Sequence, residues 1–338
     1  MTTSNRIAWI DTVKAFSIVS VVLFHTHICY PAKTIAYLLC MPAFFFVAGL
    51  FTNTRLSPYE FFNKKTLRLL IPYFIFGILS WLAWLIIGRK YGNALELDPW
   101  WTPLVGLLSG KYELLIQNKP LWFICCMVTI EWLYYLIRRI QKQWLRWLVI
   151  ACGTLIGYCG KYVINYNIWE IFAALIMLPI YAISAEFKDA IWAFIGRCRT
   201  YILFIIFMCA VAGVWIGYIF NPNIDIGLCE LSNPFLFYLT AFSVVGLWLS
   251  LALLMDRWGV QSRILQFLGQ NTMVILCAHI PLFGFIKGLG LICHVPLSFF
   301  ETNIGSLILW LGALLLLWPF IYLINRYVPF VAGKTTRK

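Results

Sequence analysis

The chain has 338 residues, of which 62% are hydrophobic, 18% aromatic and only 12% charged. A soluble globular chain is nearer half apolar and a quarter charged, so that class is excluded. The net charge of +13 invites a nucleic-acid reading, but the cations fall in short segments between apolar runs, which points to membrane topology and to no nucleic-acid partner.

The runs are each near twenty residues, enough to cross ~30 Å of hydrocarbon. They predict ten helices at about 7–28, 35–52, 69–88, 121–137, 145–160, 168–185, 201–220, 235–255, 271–292 and 304–325. The fold class is therefore all-α, a polytopic membrane protein with about ten transmembrane helices, and residues 1–338 read as one membrane domain. The first run is expected to remain a span rather than be cleaved, because Asp11 and Lys14 interrupt it and no clear small-residue cleavage site follows.

That first span carries polar groups that hydrocarbon penalises. Lys14 and His25 are eleven residues apart, which at about 100° per residue is ~20° beyond three full turns, so they share one face about 16 Å apart along the axis. Asp11, three residues before Lys14, lies on adjoining surface and can pair with it. His27 points roughly 200° away from His25, so the two do not form a joint metal site. A polar stripe directed into a bundle suits a substrate path; the alternative is a structural Asp11–Lys14 pair and a histidine hydrogen-bonded at the interface.

The long hydrophilic loop near 89–120 holds Glu96, Asp98, Trp100, Trp101 and Glu113, which suit either an interfacial aromatic anchor or stacking on sugars. Glu131 in the fourth helix and Glu170 at the start of the sixth can orient a histidine or bind hydroxyls, and the sequence does not assign them. In the ninth helix, Pro281 cannot donate to the carbonyl of Cys277, which predicts a kink and a free acceptor beside His279. That kink reads as a site or as simple packing. Eleven cysteines form no Cys-x-x-Cys pair or zinc spacing, so no metal is expected. Those inside apolar runs, such as Cys125 and Cys126, act as small hydrophobes.

Loop charges orient the helices. With the N-terminus inside, eighteen Lys and Arg fall in cytoplasmic segments, among them Arg6, Lys64, Lys65, Arg68, Arg146, Arg257 and Lys338, and six fall outside: Lys33, Arg89, Lys90, Lys111, Lys119 and Lys161. The bias is threefold and places both termini in the cytoplasm.

At this point the sequence resembles the integral-membrane acyltransferase-3 family, the ten-helix enzymes that acylate bacterial surface carbohydrates. The stretch IDTVKAFSIVSVVLFH (10–25) is similar to the family's Asp-x-x-Arg opening followed by histidine. MPAFFFVAGLF (41–51), KKTLRLLIPY (64–73), LWFICC (121–126) and LGQNTMVILCAHIPL (268–282) resemble its later motifs in the expected order. Four positions depart from the pattern: Lys14 and Lys65 stand where arginine is commoner, and Ala48 and Thr272 where serine is. Lysine keeps the charge but loses the bidentate fork. A fused soluble esterase-like domain, present in some members, is not expected here.

The resemblance implies a cytoplasmic acyl-CoA donor, usually acetyl-CoA, and a sugar hydroxyl on a surface or lipid-linked glycan as acceptor, in the bacterial inner membrane. A hydroxyl is a poor nucleophile at neutral pH and needs a base, which assigns His25 as general base, with a covalent acyl-histidine as a less favoured variant. Lys14 would hold the acyl-CoA arm or balance negative charge, with Asp11 beside it, and His279 is the second catalytic candidate. Lys64, Lys65 and Arg68 would meet the donor's phosphates or, equally, anionic lipid headgroups. Asn271 or Thr272 caps the ninth helix, where backbone N–H groups favour phosphate. The donor is expected to thread along the stripe from the cytoplasm towards an outward-facing sugar. Two rivals remain: a transporter or flippase of lipid-linked sugars, whose mark would be inverted repeats with broken helices, and a non-catalytic scaffold. The absence of a Gly-rich phosphate loop and of a Gly-x-Ser-x-Gly elbow argues against nucleotide hydrolysis and serine esterases.

Overall fold

The computed structural model describes residues 7–89, 99–164 and 167–334. The regular structure among them is helical, without strands. We number the main helices α1 Ala8–Phe24, α2 Tyr30–Leu50, α3 Pro58–Gly88, α4 Thr102–Ser109, α5 Lys119–Ile137, α6 Gln143–Val163, α7 Ile168–Glu186, α8 Lys188–Arg197, α9 Thr200–Phe220, α10 Pro234–Arg257, α11 Arg263–Gln270, α12 Thr272–Ile292 and α13 Asn303–Tyr327. Eight of these (α2, α3, α5, α7, α9, α10, α12 and α13) are long and apolar enough to cross a membrane. The chain is thus an all-α, multi-pass membrane protein.

The other two expected spans are also helical. α1 runs for only 17 residues and carries Asp11 and Lys14. α6 has 21 residues, diluted by Arg146, Lys161 and several Gly, Trp and Tyr. The third helix starts eleven residues before its apolar run, because Ser57 and Glu60 form a reciprocal capping box at Pro58. With each donor satisfied, a helical turn forms in sequence too polar to count as membrane span. The basic Arg6, Lys90 and Lys338, and the loop residues Glu96 and Asp98, lie outside the described residues.

The helices divide into two compact units. The first comprises residues 1–52, 180–224 and 230–272. Its α9 and α10 touch along small residues: a Cβ placed on Gly213 or Gly217 would lie 2.0 Å from the Ser243 hydroxyl or 2.1 Å from that of Thr240. Ser243 and Thr240 return their hydroxyls to their own helix at 2.7 Å each, onto Leu239 and Leu236, so the seam is close-packed without loose donors. This is the small-residue interface by which helices associate where lipid is as apolar as the side chains. α1 packs on a core of Trp9, Ile10, Val13, Ala43, Val47, Leu203 and Leu253.

The second unit comprises residues 53–179, 225–229 and 273–338. Within it α5 is buried along most of its length, from Trp122 to Ile137. The Tyr73 hydroxyl of α3 donates to the Leu107 carbonyl of α4 at 2.8 Å. The α13 helix instead exposes Leu307, Leu311, Leu315, Trp318, Tyr322 and Leu323, as a lipid-facing surface should.

One packing test follows from α11. A Cβ on Gly269 would lie 1.8 Å from the carbonyl oxygen of Asp11, so only glycine lets α11 approach α1 there. Gly269→Ala is expected to destabilise by about 1–3 kcal/mol or more through overpacking, read as a lower melting temperature in detergent. Gly196→Ala, with nothing within 4 Å of the added carbon, should leave the melting temperature unchanged or slightly higher.

Candidate active site

In the first unit the polar groups of α1 are arranged as its helix period requires. Lys14 Nζ sits 2.7 Å from Asp11 Oδ1, with the Asp11 side chain almost fully buried and that of Lys14 a quarter exposed. On the face between Lys14 and His25 come Ile18 and Val21, which are 1% and 0% exposed. That part of the stripe is packed hydrocarbon, so it joins the two polar ends without being a polar channel itself.

His25 is the residue on which α1 ends. Its backbone turns out of the helix while its N–H still donates to the Val21 carbonyl at 3.3 Å. The half-buried imidazole meets the Phe24 ring edge-on at 4.8 Å. Thr26 closes the turn by donating its hydroxyl to the Leu23 carbonyl at 2.7 Å. His27 is exposed and lies beyond the end of α1, so the helical offset expected from the sequence does not set its direction. Asn271 and Thr272 mark the junction of α11 and α12. The Asn271 amide is buried and donates back to the Phe267 carbonyl at 2.7 Å, closing α11, while Thr272 is the first residue of α12 and half-buried.

In the second unit Pro281 lies inside α12, which runs as one helix from Thr272 to Ile292. His279 is fully buried and its Nδ1 lies 2.9 Å from the Ile275 carbonyl. A carbonyl only accepts, so Nδ1 carries the proton and Nε2 is the basic nitrogen of the ring. Phe283 packs edge-on at 5.8 Å.

The Cys277 carbonyl released by Pro281 is not left open as the sequence suggests. Asn118 donates its amide to that oxygen at 2.7 Å and to Ser80 Oγ at 3.0 Å. Asn118 is fully buried, and sequence reasoning passed over it. The available signal was an asparagine placed directly before Lys119–Pro120 at the start of a membrane helix. An apolar cavity of about 540 Å³ opens beside Pro281, lined also by Trp84, Gln117, Ile280, Gly284 and Gly288.

The basic segment divides into three environments. Lys64 pairs with Glu60 at 3.1 Å on exposed surface. Lys65, in a π-helical turn spanning Phe62–Thr66, turns inward to Glu131 at 3.8 Å. Arg68 is exposed. The next residue in the turn, Thr66, accepts the Trp132 indole N–H at 2.9 Å, which locks the segment to α5. Lys65 and Arg68 share a helix face in sequence yet differ in exposure, because α5 covers only part of that face.

Glu170, unassigned by sequence, is fully buried, accepting the Tyr112 backbone N–H at 2.7 Å and the Asn167 amide at 2.8 Å. Trp169 and Glu170 both have φ of +52°, a left-handed conformation costly for side-chain-bearing residues. Trp100 and Trp101 are about half exposed, and the Trp100 carbonyl accepts the Trp81 indole N–H at 2.9 Å, an arrangement suited to an interfacial anchor. Among the described residues, no three His, Cys, Asp or Glu side chains converge as a metal site would need.

Comparison with curated proteins and with solved structures gives no match. The model of the acyltransferase domain of the acyltransferase-3 family matches residues 7–326, a stretch containing every candidate residue named above. The chain therefore belongs to the acyltransferase-3 family and is a multi-pass membrane acyltransferase.

Proposed function

We propose that the protein moves an acetyl or similar small acyl group from cytoplasmic acyl-CoA to a hydroxyl of a surface or lipid-linked saccharide, in the bacterial inner membrane with both termini cytoplasmic. The observation that carries this reading is the pairing on α1. Lys14 is already neutralised by Asp11 at 2.7 Å, so the group on that face suited to exchanging a proton near neutral pH is His25.

In the proposed reaction His25 accepts the acceptor hydroxyl proton as its oxygen attacks the thioester carbonyl. The tetrahedral intermediate collapses, the C–S bond breaks, and the departing thiolate takes the proton from the imidazolium. One ester and one free CoA thiol result. His279, with its proton held on Nδ1, is the second catalytic candidate and belongs to the second unit. Because Ile18 and Val21 are packed, a donor arm travelling towards His25 would run beside this face after a local opening rather than through a standing polar channel. Of the basic residues, the exposed Arg68 is best placed to meet the donor's phosphates, with Lys64 beside it.

Three outcomes test the reading. His25→Ala should lower acetyl transfer from acetyl-CoA to glycan by about 10²–10⁴-fold, the usual contribution of a positioned base, while the purified protein keeps its melting temperature. Full activity in this variant would end the assignment. Asn118→Leu strands the Cys277 carbonyl in hydrocarbon and should cost about 1–3 kcal/mol, seen as a lower melting temperature; an unchanged value would show that another donor reaches the carbonyl. A cysteine replacing Arg68, in a background without the exposed native cysteines, should resist a membrane-impermeant maleimide in intact cells and react after permeabilisation. Labelling in intact cells would invert the orientation.

A further inference from the structure

The apolar cavity of about 540 Å³ lies wholly within the second unit, between one face of α3 and one face of α12. Ser80, Trp84 and Gly88 line it from α3, and Pro281, Gly284, Gly288 and Ile292 from α12. Steps of three and four residues put each set on a single helix face. The volume falls within the ~300–1,000 Å³ typical of small-molecule sites, which are mostly apolar with a few placed polar groups.

Glycine makes the room. In membrane helices glycine usually lets a second helix come close, as Gly213 and Gly217 do in the first unit. Gly284 and Gly288 do the opposite, since a Cβ built on either meets nothing within 4 Å. Across the cavity α3 departs from α-helical pitch, and Trp84–Gly88 forms a π-helical turn. Such irregular turns often accompany functional sites.

Two side chains on the wall carry a buried polar atom without a partner. Trp84 and Gln117 are each 7% exposed, and neither the indole Nε1 nor the amide Oε1 makes a hydrogen bond. The Gln117 nitrogen reaches the Pro103 carbonyl at 3.5 Å, which leaves its oxygen to the cavity. An indole N–H only donates and an amide oxygen only accepts, and leaving both unmade away from water is costly.

Those two atoms narrow the ligand. A hydroxyl both accepts and donates, so it can serve Trp84 and Gln117 alike. An ester carbonyl, a carboxylate or a phosphate only accepts, an ammonium only donates, and an alkyl tail does neither. No lining side chain is charged, so an ion would enter uncompensated. A water, at ~30 Å³, would leave most of the volume unfilled. Ile87, Phe285, Leu289 and Ile292 also line the cavity and are exposed, so its rim belongs to the surface that lipid covers. The ligand therefore arrives from the bilayer.

We infer that this cavity binds a neutral single-chain lipid with a hydroxyl head, a long-chain alcohol by chemical class. Trp84 and Gln117 hold the hydroxyl, and the chain lies over Gly284 and Gly288 towards the rim. Binding there requires neither acyl transfer nor His25.

The test photolabels the full chain in nanodiscs with a diazirine-bearing hexadecanol and maps the labelled peptides by mass spectrometry. Label should concentrate on α3 around Trp84 and on α12 around Gly288, and unlabelled hexadecanol should compete. Hexadecane, hexadecyl methyl ether and hexadecyl phosphate should compete less well. Trp84→Phe and Gln117→Met should each weaken competition by hexadecanol about threefold to tenfold, as for losing one hydrogen bond between uncharged groups. Gly284→Leu and Gly288→Leu grow into open space, so each should abolish labelling at the site and keep the melting temperature. Leu315→Ala, on the lipid-facing surface of α13, should change nothing. Label spread evenly over the lipid-facing helices overturns the site, as does its persistence in both filling variants. Competition by hexadecane or by hexadecyl phosphate equal to that by hexadecanol overturns the hydroxyl-bearing ligand. Gly284→Leu tests the cavity even where Trp84→Phe fails to fold.

Discussion

A membrane interior offers no water to a polar group, and that constraint governs this chain more than any single contact. Every N–H, carbonyl or charge inside it must find its partner within the protein. Pro281 shows the consequence most clearly. By removing a helical donor beneath Cys277 it creates a demand, and Asn118, distant in sequence, answers it at 2.7 Å. The same amide engages Ser80, so the start of α5, the body of α3 and the Cys277 turn of α12 are held together by one side chain. The geometry of the His279 turn is thereby supported from two directions: its own Nδ1 bond to Ile275 and the capped carbonyl of Cys277 two residues before it.

The charged pairs obey the same constraint. Burying an ion costs several kcal/mol unless a counter-ion and hydrogen bonds compensate, and the two pairs resolve this differently. Asp11 and Lys14 are three residues apart on one helix, so the pair forms wherever the helix forms. Lys65 and Glu131 belong to different helices, and their contact needs α3 and α5 to pack correctly. That second pair is looser, at 3.8 Å, and one oxygen of Glu131 has no hydrogen-bond partner. Lys65 is therefore bound first to the task of neutralising Glu131. A donor phosphate drawing it away would leave a buried carboxylate uncompensated, which is why the proposed phosphate contact is given to the exposed Arg68 instead.

The division between what could be read from residues and what could not has the same origin. The apolar runs and the Asp11–Lys14 pair are local consequences of hydropathy and helix period. They are legible because they depend on neighbours in sequence. Asn118 was not, because its value comes from a carbonyl 159 residues away. Glu170 was visible as an intramembrane carboxylate but gained a role only once Tyr112 and Asn167 stood beside it. Lys65 and Arg68 looked equivalent because helix period alone cannot say how far α5 extends over α3. The early start of α3 was readable in principle, from Ser57, Pro58 and Glu60, but hydropathy weighs a capping box as nothing.

A base that removes a hydroxyl proton must itself be reachable by substrate and able to hold a charge briefly. His279, fully buried with its Nδ1 proton engaged, would have to form an imidazolium away from solvent, which costs more than forming one at a half-buried position. His25 is half-buried at the end of α1, where the chain leaves the helix and where a transient charge is partly solvated. The same two rings thus divide by environment. The one at the helix end is better suited to take and return a proton than the one buried inside α12.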